Sequence, residues 1–169
     1  MAKVTTLREH CLNELRDLYD AENRIVGALP KVAQAVSAKE LRKALEEHLE
    51  QSKGHVHRLE KVFVNMNEDP RRKTCDGIKG ILAEGEAMIN DCDDAAVRDA
   101  GIIAAAQRVE HYEMAVYGSV RTWADELGDA ESARVLQQTL DEEKEADNKL
   151  SGLARSHTND RARAASAGA

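Results

Sequence analysis

QRVEHYEMAVY, Gln107 to Tyr117, has helical spacing, and on what otherwise reads as a buried stripe it sets Glu110 and Glu113 on one face, three residues apart. Ionised carboxylates are rarely tolerated in such a place without a partner. Candidate compensation lies at matching depth elsewhere: Glu22 near the start, His48 and His55 in a second long segment, Glu143 and Asp147 in the last. The pattern predicts an all-α bundle built around a carboxylate-lined metal site.

The 169 residues suit one domain with a single sizeable core, and two prolines with ten glycines leave long uninterrupted segments. Ala, Leu, Glu and Lys dominate these segments, which is a helical composition. Aromatic residues are only 3%, so the core must rest on Leu, Val, Ile and Ala, which suits closely approaching helices. The net charge of -7 opposes nonspecific nucleic-acid binding and is compatible with attracting cations. Cys11, Cys75 and Cys92 are odd in number and contain no CxxC pair, so neither a disulfide framework nor a thiolate zinc site is indicated. No stretch approaches the ~20 consecutive apolar residues of a membrane span. With no long apolar run at the N-terminus either, a cytoplasmic protein without a membrane partner is expected.

Thr6 and Glu9 form a T-x-x-E capping box, and Leu15, Leu18, Glu22, Ile25 and Leu29 then recur at helical spacing, with Pro30 expected to bend this first long helix. Ser37 and Glu40 read as a second capping box after a short connection, so the second helix returns antiparallel with Leu45, His48, Ser52, His55 and Leu59 facing inward. NMNEDPRRKT, Asn65 to Thr74, reads as a loop, and Cys75 to Asn90 as a short extra helix within a long crossover. The third long helix runs from about Asp94 to Leu127, ended by Gly128, and Asp129 caps the fourth. The bundle is expected to occupy 1–155, and the small, polar, arginine-sprinkled 156–169 to form a disordered tail.

Antiparallel helices joined by a short turn face each other at positions whose numbers sum to about twice that of the turn. A turn near Gly128 puts Glu110 level with Asp147 and Glu113 level with Glu143. A turn near Ser37 puts Glu22 level with Gln51 or Ser52, with His48 and His55 about one helical turn to either side. Five carboxylates at one depth require protons or cations to neutralise them. A dinuclear iron or manganese centre would do so, with Glu, Asp and His supplying suitable ligand atoms. The competing reading is a non-catalytic helical protein acting through dimerisation or partner binding, its inner acids protonated or paired with a base such as Arg121.

LYDAENRIVGALPK (Leu18 to Lys31), HLEQSKGHVHRLEKVF (His48 to Phe63), DAGIIAAAQRVEHYEMAVYG (Asp99 to Gly118) and LQQTLDEEKEADNKL (Leu136 to Leu150) resemble the bacterial YciF/YciE-type proteins of the ferritin-like superfamily. The resemblance spans roughly Leu7 to Ala154. It implies a ferritin-like four-helix bundle with a crossover helix, a homodimer and a part in stress responses. In the wider superfamily, two metals are held by a Glu from the first helix, Glu-x-x-His from the second, a Glu from the third and Glu-x-x-His from the fourth. Glu22 resembles the first-helix ligand, Glu110 with Glu113 the Glu-x-x-Glu variant of rubrerythrins, and Glu143 the fourth-helix glutamate. Asp147 stands one residue beyond the place of the histidine, and Ser52 stands where the glutamate before His55 would be. The leading candidate metal set is Glu22, Glu110, Glu113, Glu143 and Asp147, with His48 and His55 as further candidates. That departure leaves open, at the level of sequence, whether the metal site supports oxidase, peroxidase or catalase-like chemistry on dioxygen or peroxide.

Overall fold

Reciprocal hydrogen bonds between Thr6 and Glu9 close the expected capping box and start α1, Leu7–Ala35, which continues through the exposed Pro30. The structure, a computed structural model, describes residues 4–165. Val36 to Ala38 lead into α2, Lys39–Asn65. Ser37 does not cap this helix as the sequence suggested. The carboxylate of Asp99, 62 positions away, accepts from the Ser37 amide at 2.9 Å and from its hydroxyl at 2.5 Å. It also takes the Ala38 amide at 2.9 Å, so a buried acid from another helix satisfies donors that a local side chain would otherwise cap.

The crossover contains α3, Asp76–Asp91, which starts on the Cys75 thiol; that sulfur accepts from the Ile78 amide at 3.3 Å. The Cys75 amide in turn donates to Asp20 of α1 at 3.0 Å, tying the start of α3 to the bundle. α4, Ala95–Glu126, begins on an Asp94 cap, and α5, Ala130–Leu153, on an Asp129 cap, both as expected. Between them Gly128 has φ +80, a left-handed conformation that glycine adopts without a Cβ penalty.

Contacts fix the directions of the helices. Arg8 meets Met66, Tyr19 meets Glu60 and Glu22 meets His55, so α1 and α2 run antiparallel. Lys61 with Glu131, Arg58 with Glu142 and Glu47 with Lys149 give the same result for α2 and α5. His10 against Trp123, Glu22 against Tyr117 and Ser37 against Asp99 give it for α1 and α4. The fold is the expected helical bundle: hairpins α1–α2 and α4–α5 joined by a crossover that carries α3, with no strand among the described residues.

Two apolar clusters fill the interior. One includes Leu15, Leu18, Leu59, Phe63, Val120 and Leu136, the other Ile25, Leu41, Leu45, Ile78, Ile102 and Leu150. Each such side chain contributes roughly 1.5–3 kcal/mol on burial, so these clusters supply the drive to fold. The layer between them is polar.

The expected disordered tail is helical as far as it is described. α5 passes into a π-helical turn, Ala154–Thr158, and then α6, Asn159–Ala165, which packs on α4. A composition rich in Ala and Arg is as compatible with helix as with disorder, and burial of Thr158 anchors the segment. Residues 166–169 of the expected tail lie outside the described residues.

Candidate metal centre

Each long helix sends polar side chains into the layer between the clusters. Glu22 comes from α1, His48, Ser52 and His55 from α2, Glu110, Glu113 and Tyr117 from α4, and Glu143 from α5; all are buried. Spacings of three, four and seven residues put those sharing a helix on one face. Two groups result. His48, Glu110, Glu113 and Glu143 each offer one ligand atom, all within 4.8 Å of one another, and Glu22, His55 and Glu143 do the same. Glu143 belongs to both.

His55 Nδ1 lies 2.9 Å from Glu143 Oε1 and 3.3 Å from Glu22 Oε1. His48 Nε2 lies 3.4 Å from Glu110 Oε1 and 4.0 Å from Glu143 Oε2. Proximity is not matched by hydrogen bonding here. His55 Nδ1, both His48 nitrogens, both Glu113 oxygens and both Glu143 oxygens lack any hydrogen bond of acceptable geometry.

Behind His55 the arrangement is complete. Its Nε2 lies 2.9 Å from Glu142 Oε2, and Arg58 grips both Glu142 oxygens at 2.7 Å. A proton on Nε2 satisfies that contact and leaves the Nδ1 lone pair facing Glu22 and Glu143, the tautomer a metal ligand requires. Tyr117 donates to Glu22 Oε1 at 2.5 Å.

Without a cation, protons redistribute. Burial disfavours the charged form of His55, but the facing carboxylates of Glu143 and Glu22 outweigh it and lift its pKa to about 10. Burial, and then the charges of Glu143 and Glu22, push Glu110 and Glu113 well above the usual carboxylate range. Burial would also raise Glu143, but His55 beside it holds that carboxyl below its ordinary value. Burial acts likewise on Glu142, where Arg58 and His55 prevail and lower it. Burial and the neighbouring carboxylates thus favour the neutral forms of Glu110 and Glu113, while His55 favours the ionised form of Glu143.

Of the seven residues singled out in the sequence, Glu22, His48, His55, Glu110, Glu113 and Glu143 come together. Asp147 does not. It sits half-buried at the edge of the bundle, where its Oδ1 accepts from Gln107 at 2.9 Å and lies 3.3 Å from His111 Nε2. Glu110 instead meets Glu143, one helical turn nearer the α4–α5 connection than expected. Arg121 takes no part in the layer. Glu142 and Arg58 were not foreseen, because α2 and α5 are not joined by a turn and the sequence gives no rule for their register. The usable signal was local: Arg58 lies one turn from His55, and Glu142 adjoins Glu143.

Residues 6–163 match the family described as "Domain of unknown function (DUF892)". The chain is 39% identical over 160 residues to Protein YciF of Escherichia coli (strain K12), covering 94% of this chain and 96% of that one. It is similar to the crystal structure of the E. coli stress protein YciF, with a TM-score of 0.89 and 38% identity over 92% of this chain and 99% of the other. It is also similar to YcfI, a putative structural protein from Rhodopseudomonas palustris, with a TM-score of 0.87 and 38% identity over 88% and 95% of the two chains.

Proposed function

The chain belongs to the DUF892 family, and from that premise we propose that it is a YciF-like, ferritin-like stress protein whose central layer binds iron or manganese. Ten of the eleven buried side-chain polar atoms that lack a hydrogen-bond partner among the described residues belong to this layer, and that observation carries the reading. Each such atom costs roughly 1–3 kcal/mol when left unmatched, and a cation between them repairs many at once.

The donor set fits a hard-to-borderline metal. It contains carboxylate oxygens and imidazole nitrogens, while Cys11, Cys75 and Cys92 lie outside it. Glu22, His55 and Glu143 would hold one ion, and His48, Glu110, Glu113 and Glu143 a second, with Glu143 shared. Bound iron or manganese supplies one-electron exchange with dioxygen or peroxide. The chain's own part is positional. Glu142 and Arg58 fix the ring of His55, Tyr117 holds a proton against Glu22 Oε1, and apolar clusters flank the layer on both sides. A cytoplasmic homodimer completes the reading.

The test is metal analysis of untagged protein alongside Glu110→Ala, with anomalous scattering measured at the iron and manganese edges. Near-stoichiometric metal in the wild type and a marked loss in the variant are expected; equal, near-zero metal in both removes the proposal. A second reading, a non-catalytic helical protein acting through partners, draws on the contacts of His55 and Tyr117 with the acids, which compensate part of the layer without metal. Under that reading chelation leaves the thermal midpoint unchanged. Under the metal reading, a site occupied at 100 times its Kd adds about 2.7 kcal/mol, a drop of roughly 5–10 °C on chelation.

A further inference from the structure

A cavity of about 650 Å³ lies between α1, α3 and α4 and reaches inward to His48 and Glu110. That volume falls within the roughly 300–1,000 Å³ of small-molecule sites. Its walls are apolar, among them Ile25, Val32, Leu82, Ile89, Ile102 and Val109. Its inner end is buried and acidic, with Glu113 and Glu143 behind Glu110. Its outer rim carries Lys31 and Lys79, both exposed, together with Arg24 and Glu86. Arg24 already engages Asp20 at 2.6 Å, whereas among the described residues neither lysine ammonium has a carboxylate partner.

This polarity selects an occupant and its orientation. An anionic group at the inner end would face three carboxyls, while at the rim it meets two unpaired cations. A neutral apolar molecule would leave those cations unused. We propose that this cavity binds a fatty-acid-like molecule, its alkyl chain inside and its carboxylate on Lys31 and Lys79. The inference goes beyond metal binding and concerns the protein with its inner carboxyls free of cations.

The test is calorimetric titration of delipidated, chelator-treated full-length protein with dodecanoate, with dodecanol as the uncharged comparison. Saturable binding of one dodecanoate per chain is expected. Ala106→Phe, which fills the cavity, should weaken both ligands at least about tenfold. The surface double variant Lys31→Glu/Lys79→Glu should weaken dodecanoate roughly tenfold and leave dodecanol unchanged. Because the charge reversal lies on exposed positions, it keeps the test decisive if Ala106→Phe fails to fold. Three results overturn the proposal: no saturable binding; equal dodecanoate affinity in the charge-reversed protein; or an affinity that falls as protein concentration rises, which assigns the cavity to a second copy. Working without metal separates this outcome from the metal analysis, so either can fail alone.

Discussion

Glu22 and His55 are held from behind, by Tyr117 and by the Glu142–Arg58 pair, whereas His48 and Glu113 on the other side of Glu143 have no such support. His48 has both ring nitrogens unmatched, Glu113 both oxygens, and the large apolar cavity opens onto His48 and Glu110. A second opening of about 170 Å³ between α2 and α5 reaches the same two residues and is edged by the Glu47–Lys149 ion pair. The supported half is oriented by the fold itself. The other is accessible and oriented only by its ligand, so the two halves should differ in affinity and in exchange.

Glu143 is where the halves meet, and its removal gives the largest expected effect. Glu143→Ala takes a donor from each group and leaves Glu22 as the one acid facing His55 Nδ1. Metal content should fall at both halves, with affinity down about 100-fold or more. If only one equivalent is lost, the shared role is wrong and the halves are independent.

Glu142→Gln sharpens the contrast, because it acts only behind His55. An amide can donate its N–H group to Nε2, which moves the ring proton to Nδ1, and it gives Arg58 a weaker partner. Loss of such support lowers affinity roughly 10–100-fold, here for the Glu22–His55 half alone. Titration with manganese, followed by electron paramagnetic resonance, should show one tight site weakened and the other unmoved. An equal loss at both would mean that the support is shared.

Proton competition follows from the same geometry. His55 has its pKa raised from 6.5 to about 10, so its stabilisation is complete below pH 6.5 and disappears as pH rises through 10. Glu110 and Glu113 are raised by burial and by the neighbouring carboxylates, so they too favour the fold at low pH and cost stability as pH climbs above 4.5. Glu143 is lowered by His55 despite burial, and its contribution is present above pH 4.5 and lost below it. A bound cation replaces the protons on the raised groups. The difference in thermal midpoint between manganese-loaded and chelated protein should therefore widen from pH 5.5 to 8.5. A constant or shrinking difference would show that these groups do not face the metal.

The helical periods, the two short turns and the ends at Thr6, Asp94, Gly128 and Asp129 could be read from local sequence because each depends on neighbours within a turn of helix. The same locality let the antiparallel rule set Glu113 level with Glu143, though it paired Glu110 with Asp147 rather than with Glu143. It failed where a partner is remote. Ser37 looked like a cap because Glu40 follows it, but the buried Asp99 supplies the acceptor from α4. Arg58 and Glu142 meet across α2 and α5, whose register is set by packing around the crossover rather than by any turn. The tail misled for another reason: alanine and arginine report propensity, and only the packing of α6 on α4 decides between helix and coil.

Asp147 marks the boundary of the site and gives the smallest expected effect. Its carboxylate is committed to Gln107 and lies against the exposed His111, outside both ligand groups. Asp147→Asn keeps an acceptor for Gln107 and removes only a partly screened charge, so stability should change by less than about 0.5 kcal/mol. Metal content should stay at the wild-type level in the same analysis that reads Glu110→Ala. A loss comparable to that of Glu110→Ala would require Asp147 to swing one helical turn inward when metal binds. In that case the less supported half would gain a further ligand, and the asymmetry between the halves would shrink.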